Sequence, residues 1–151
     1  NLGAIARTAE ACGEHGLIIP KHRAAPVTTS SIKSSAGALL HIPVSRVTNV
    51  SDTIDWLKER NIWVAGADME GSNPYYKTNL SGPIAVVIGN EGKGIRRLVK
   101  EKCDFLVSIP MKGKMSSLNA SNAAAVILFE VMRQRKEDNG EIDGGKQYGK
   151  L

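Results

Sequence analysis

The stretch Ile109–Arg135, IPMKGKMSSLNASNAAAVILFEVMRQR, decides how this chain folds. It runs from the end of a strand, through a loop of small polar residues, into a strongly apolar helix, and so announces an α/β arrangement. The join between loop and helix needs explaining. One N-cap side chain satisfies part of a helix's orphan amides, yet Ser117, Asn119, Ser121 and Asn122 crowd this entry, with Lys112 and Lys114 just ahead. One cap does not require four polar groups. Small polar residues at a helix start also admit a ligand edge or a passing backbone, which suits a pocket floor. The two lysines suit either plain solvation or a phosphodiester partner.

Outward from this stretch, strands and helices alternate. PIAVVIG, residues 83–89, is continuously apolar, as a strand buried on both faces should be. GLIIP (16–20), IPVSRV (42–47), IWVAGADM (62–69) and FLVSIPM (105–111) read as further strands. The opening helix places Leu2, Ile5, Ala9 and Cys12 on one face and stops at Gly13. A second helical segment is expected over Ser31–Leu40. A third, DTIDWLKERN, is capped by Ser51 and owes its apolar side to Ile54, Trp56 and Leu57. IRRLVKEKC (95–103) forms a fourth, and EGSNPYYKTNLSG (70–82) reads as a turn-rich connection. The pattern predicts a mostly parallel sheet with helices on both faces. Residues 1–135 form the expected domain, and residues 136–151, polar and glycine-rich without apolar period, an expected disordered tail.

Composition narrows the function classes. The 151 residues suit one domain, with 42% hydrophobic residues and only 5% aromatic ones, so aliphatic side chains build the core. No apolar run reaches 18 residues, and the opening residues carry charge where a signal peptide would be apolar. Cys12 and Cys103 share no ligand spacing, and His15, His22 and His41 are scattered, so no metal site is expected and a cytoplasmic location is. The net charge of +5 is compatible with a polyanionic partner such as nucleic acid without requiring one.

The loop GNEGKG, residues 89–94, supplies Gly89, Gly92 and Gly94 between a buried strand and a helix. Such glycines bring a ligand close to backbone N–H groups, or serve only a tight turn. It is no Walker loop, because Gly94 follows Lys93 where a magnesium-holding Ser or Thr belongs. Glu91 within it would repel phosphate and suits a cationic or hydroxyl-bearing ligand. In the opening helix Asn1 and Arg7 fall on the polar side, and arginine's fork of donors suits phosphate.

Three segments together, NLGAIARTAEACG, VVIGNEGKGIRRLVKEKCD and SIPMKGKMSSLNASNAAAVILFE, resemble in order the three motifs of the SpoU family of RNA ribose 2'-O-methyltransferases, in the SPOUT superfamily. The intervening GLIIPKHRAAPVTTSSIKSSAGAL is most similar to the subgroup that methylates a guanosine of 23S ribosomal RNA. The resemblance implies a parallel sheet whose C-terminal segment is threaded into a trefoil knot, a topology that chain connectivity normally avoids. It further implies a homodimer, S-adenosyl-L-methionine as cofactor and RNA as substrate. Gly89, Ile109 and Leu118 match the family's cofactor-contacting positions, and Met111 and Gly92 are expected to line the same pocket. Arg7 matches the catalytic arginine, and Asn1, Glu91, Ser117 and Asn119 the other polar active-site positions. A protonated guanidinium is a poor base, so Arg7 is expected to grip the phosphate beside the target ribose, with that phosphate or a deprotonated Arg7 taking the proton. The family pattern also has a strand ahead of its asparagine, which implies a first strand upstream of Asn1. The competing expectations are a transfer-RNA guanosine enzyme of the same family and a non-catalytic RNA-binding or ribosome-assembly module; a nucleotide hydrolase is more distant.

Overall fold

The computed structural model describes residues 2–21, 32–33, 35–71, 73–90, 92–115 and 117–140. Helix α1 (Leu2–Ala11) leads to strand β1 (Leu17–Pro20), and a short 3-10 turn (Ala38–Leu40) precedes β2 (Val44–Val47). Helix α2 (Val50–Glu59), β3 (Trp63–Ala67), the two-residue β4 (Asn73–Pro74) and β5 (Ile84–Ile88) follow. Helix α3 (Arg97–Lys102), β6 (Phe105–Ser108) and the long α4 (Ala120–Asp138) complete the described chain.

All strand pairs among the described residues are parallel. β4, β6, β3 and β5 form one sheet in that order, and β1 pairs with β2 in a second. Helices cover both faces of the larger sheet, as the alternating pattern predicts. On one face Ile54 and Leu57 of α2 bury against Val64, with Ala85 and Val87 of β5 beside them. On the other, Ile127 and Val131 of α4 bury against Ala65, Val107 and Leu80, with Ile84 and Val86 beside them. A smaller core under α1 gathers Ala6, Ala9 and Ile42, with Leu128 of α4 packed against it.

Polar clamps set the register. Asp104 accepts from the backbone N–H of Val64 at 2.8 Å while its own N–H donates to the Val64 carbonyl, fixing β6 against β3. Gln134 accepts from the Leu80 N–H at 2.7 Å and donates to the Thr78 carbonyl, tying α4 to the loop before β5.

Several sequence expectations shift. Asn49, not Ser51, caps α2: its Oδ1 accepts from the N–H groups of Ser51 and Asp52, and Ser51 lies inside the helix. Trp56 stays 51% exposed, with the Arg60 guanidinium stacked 3.7 Å from its ring, so Ile54 and Leu57, with Val50 beside them, supply the buried apolar side of that helix. The expected helix over Ser31–Leu40 is broken, in its described part, by left-handed Ala36 and Gly37, which no α-helix accommodates. Helix α3 begins at Arg97 rather than Ile95, because the buried Ile95 side chain packs beneath Gly66. The loop 70–82 holds the short β4 and a 3-10 turn at Tyr75–Lys77. Helix α4 continues three residues past Arg135, to Asp138, and residues 141–151 lie outside the described ones.

β5 is half-buried along its length rather than fully buried. It ends the four-stranded sheet, and its residues Ile84 and Val86 share a groove of about 420 Å³ with Leu17 and Ile18 of β1, Ile5 of α1 and Leu128 of α4. The outer edges of the two sheets thus meet across an apolar recess. Both thiols are held as thiols: burial, with Glu14 adding, pushes Cys12 up to about 11, and burial, with Asp104 adding, pushes Cys103 to about 11. Among the described residues no group of acidic, His and Cys side chains could hold a metal, and no helix is long and apolar enough to cross a membrane.

Candidate active site

The chain leaves β5 on one side of β3 and re-enters the sheet as β6 on the other, so the loops after β3, β5 and β6 diverge at their carboxyl ends. Open parallel sheets bind ligands in such a crevice. Here it is a cavity of about 450 Å³, the size of a small-molecule site. Gly89 and Gly92 of the glycine loop, and Ile109, Ser117 and Leu118 of the segment before α4, all line it. Two stretches separated in sequence by helix α3 and strand β6 therefore share one cavity.

The glycine loop closes on itself. Asn90 and Gly94 exchange backbone hydrogen bonds, with Gly94 N–H to the Asn90 carbonyl at 2.8 Å and Asn90 N–H to the Gly94 carbonyl at 3.2 Å. Gly92 and Gly94 adopt φ of 78° and 68°, which glycine reaches without cost. Gly89 answers to a different constraint: a Cβ there would collide with the Gly94 carbonyl carbon and sit 2.6 Å from Ile95 N. The loop folds back so tightly over β5 that no side chain fits.

The polar entry to α4 is partly capping. Asn119 Oδ1 accepts from the Ser121 N–H at 2.8 Å, which makes Asn119 the N-cap. Asn119 does not line the cavity; Ser117 does, from an exposed position, while Ile109 and Leu118 are half-buried and supply apolar wall. Met111, expected in the same wall, is half-buried but not among the lining residues. Arg7 is exposed on α1 and lines no part of the cavity, because the face of α1 that packs carries Ala6 and Ala9. Asn1 and Glu91 lie outside the described residues.

Sequence reasoning overlooked a charged pair in this cavity. Asp68, the residue after β3, and Lys100 of α3 both line it, with Lys100 Nζ 2.8 Å from Asp68 Oδ2. The Asp68 side chain is only 9% exposed. The Lys100 hydrogen bond holds its carboxyl below the ordinary carboxylate range, and Asp68 in turn raises Lys100. ADMEG reads as strand end and turn; the missed signal is an acid at the carboxyl end of a central strand.

A family model described as the SpoU rRNA Methylase family matches residues 1–129. A protein of Bacillus subtilis (strain 168) assigned to the TrmH family of tRNA/rRNA methyltransferases is 54% identical over 135 residues, covering 89% of this chain and 54% of that protein. The crystal structure of the SpoU methyltransferase AviRb from Streptomyces viridochromogenes, in complex with the cofactor AdoMet, superimposes with a TM-score of 0.83 at 39% identity, covering 90% of this chain and 56% of AviRb. The TrmH/SpoU tRNA modifying enzyme of A. aeolicus gives a TM-score of 0.82 at 27% identity, over 92% of this chain and 70% of that one. The chain spans about half the length of the curated relatives it matches.

Proposed function

The chain belongs to the SpoU rRNA Methylase family, and we propose that it is the methyl-transferring part of an S-adenosylmethionine-dependent RNA ribose 2'-O-methyltransferase acting on the 2'-hydroxyl of a guanosine of 23S ribosomal RNA. One observation carries this reading: Gly89 and Gly92 of the second motif and Ile109, Ser117 and Leu118 of the third line a single cavity at the carboxyl ends of β3, β5 and β6. The residues present fit the cofactor. Ile109, Leu118 and Val107 offer apolar wall for a purine, Gly89 and Gly92 keep the loop free of side chains, and Asp68 offers acceptors for hydroxyl or amino groups. When bound, S-adenosylmethionine supplies a methyl group already activated by its sulfonium.

The chain's own residues then have three tasks. The apolar wall excludes water. Ser117 faces the cavity mouth with a hydroxyl, and Asn119 holds the first turn of α4 behind it. Arg7, exposed on α1, grips the phosphate beside the target ribose, which leaves that phosphate placed to take the hydroxyl proton. Asn1 and Glu91 complete the polar set in this reading, as the resemblance implies. The same reading includes a homodimer, a threaded C-terminal segment and a first strand seated between β1 and β5; the apolar groove between those two strands supports the last.

The test is to incubate the protein with ribosomal and transfer RNA and methyl-labelled cofactor, and to digest both RNAs to nucleosides. The expected product is 2'-O-methylguanosine from 23S RNA, with Arg7→Lys at least about tenfold slower because lysine loses the bidentate grip. Product from transfer RNA alone would move the substrate to the transfer-RNA branch, which the A. aeolicus tRNA modifying enzyme favours. RNA binding without product from either RNA would make the domain a binding module.

A further inference from the structure

We propose that Asp68, held by Lys100, reads the ribose of the adenosyl ligand by accepting hydrogen bonds from its two adjacent hydroxyls. This rests on the cofactor reading above and assigns a specificity-determining residue that neither the motifs nor the resemblance names.

Asp68 stands at the end of the strand to which both β5 and β6 are paired. Its own N–H donates to the Val107 carbonyl at 2.9 Å, and the Gly71 N–H returns to the Asp68 carbonyl, so its backbone is fixed on both sides. The side chain is buried from bulk water yet lines the cavity. An ionised carboxylate has about four acceptor sites. Two are used: Oδ1 accepts from the Glu70 N–H at 2.8 Å, and Oδ2 lies 2.8 Å from Lys100 Nζ. Among the described residues two acceptor sites are left over, and a ribose diol presents two donors.

The charge balance selects the same ligand chemistry. A lysine alone in this wall would draw a phosphate, and a carboxylate alone would draw a cation; paired, they cancel. What remains is a fixed, dipolar acceptor suited to neutral hydroxyl donors. The other charged residues lining the cavity among the described ones, Glu70 and Lys93, are exposed, so water satisfies them. Lys100 is a positioning residue in this scheme: it holds Asp68 ionised and in one rotamer without itself touching the ribose.

The test is calorimetric titration of this chain with S-adenosylhomocysteine and with its 2'-deoxyribose analogue. The unaltered chain is expected to prefer the full ribose by roughly ten- to a hundredfold, the range for one hydrogen bond to a charged acceptor. Asp68→Ala should bring that ratio close to one. Asp68→Asn, which keeps the shape and one acceptor oxygen, should lower it only in part and serves if the alanine variant fails to fold. Lys100→Met should also shrink the ratio, and Lys100→Arg restore it. If the pair merely braces the loop, the variants weaken both ligands equally and the ratio stays put; that result overturns the proposal and leaves the cofactor reading standing. If the unaltered chain binds neither ligand, the cofactor reading falls first and this inference with it.

Discussion

Two recesses among the described residues are nearly equal in size, about 450 Å³ at the carboxyl ends of β3, β5 and β6 and about 420 Å³ between β1 and β5, and are built from opposite materials. The first is made of loops, with glycines, backbone bridges and a paired carboxylate. The second is made of the edges and faces of regular elements, lined chiefly by Ile, Leu, Val and Ala, and its carboxylate, Glu14, is badly served. Glu14 Oε1 is buried without a hydrogen-bond partner among the described residues, and the nearest cation, Arg135, stands 3.7 Å away. The difference teaches what each recess is for. Polar groups whose bonds are met, with acceptors to spare, mark a place shaped to receive a polar ligand. An apolar groove between the edges of two sheets marks packing surface of the kind another strand covers.

The largest expected effect separates the two faces of α4. Ile127 is fully buried in the core beneath the cavity, whereas its neighbour Leu128 borders the groove and is only half-buried. Ile127→Ala should cost about 2–5 kcal/mol in urea unfolding, and Leu128→Ala roughly half that, since fewer contacts are lost where a side chain already faces a recess. Equal costs would mean that the groove is not open in solution. In a longer version of the protein whose added residues fill the groove, Leu128→Ala should rise toward the cost of Ile127→Ala.

The next effect tests the loop construction of the cavity. Gly89→Ala forces a methyl against the backbone of Gly94 and Ile95, so stability should fall by about 1–3 kcal/mol and S-adenosylhomocysteine binding should weaken, as read by thermal unfolding and calorimetry. Gly113, in the loop before α4, has nothing within 4 Å of such a methyl, and Gly113→Ala should leave both within error. If the two substitutions behaved alike, the close return of the loop onto β5 would be wrong.

These comparisons also show what was readable from residues alone. Strands and helices were legible because their apolar runs and periods are long: PIAVVIG and IWVAGADM stand where expected, within a residue or two at their ends, and the helix after Asn119 is in place but runs on to Asp138. Ser51 was misread as a cap because Asn49, two residues earlier, is an equally good acceptor, and only geometry says which one reaches the free amides. The break at Ala36 was hidden because alanine does not advertise a left-handed φ. In the site, the glycine loop and the Ile109–Leu118 stretch could be nominated from composition, but their shared cavity depends on a strand order that local sequence does not encode. Asp68 and Lys100 are 32 positions apart and ordinary in their surroundings; only the fold brings them together.

The smallest effect is a difference of sign. In the cavity, the Lys100 hydrogen bond keeps the Asp68 carboxyl below its ordinary value of 3.8, so its ionised form favours folding: that contribution is present above 3.8 and is lost as the pH falls through the lower folded value. In the groove, burial outweighs the pull of Arg135 and His15 and raises Glu14 above its ordinary 4.5, so its contribution is present below 4.5 and is lost as the pH rises through the higher folded value. Asp68→Asn should therefore lower the melting temperature at pH 7 by an amount that shrinks as the buffer is taken below 3.8. Glu14→Gln should be nearly neutral below 4.5 and gain on the unaltered chain as the pH rises to 7, because the amide ends the burial of an under-paired charge. Melting curves for the three proteins at matched ionic strength between pH 3 and 7 would read both slopes. Parallel slopes would erase the contrast between a satisfied and an unsatisfied carboxylate. Opposite slopes would show that the same side-chain chemistry stabilises the cavity and strains the groove, which is what a binding site beside an uncovered packing surface requires.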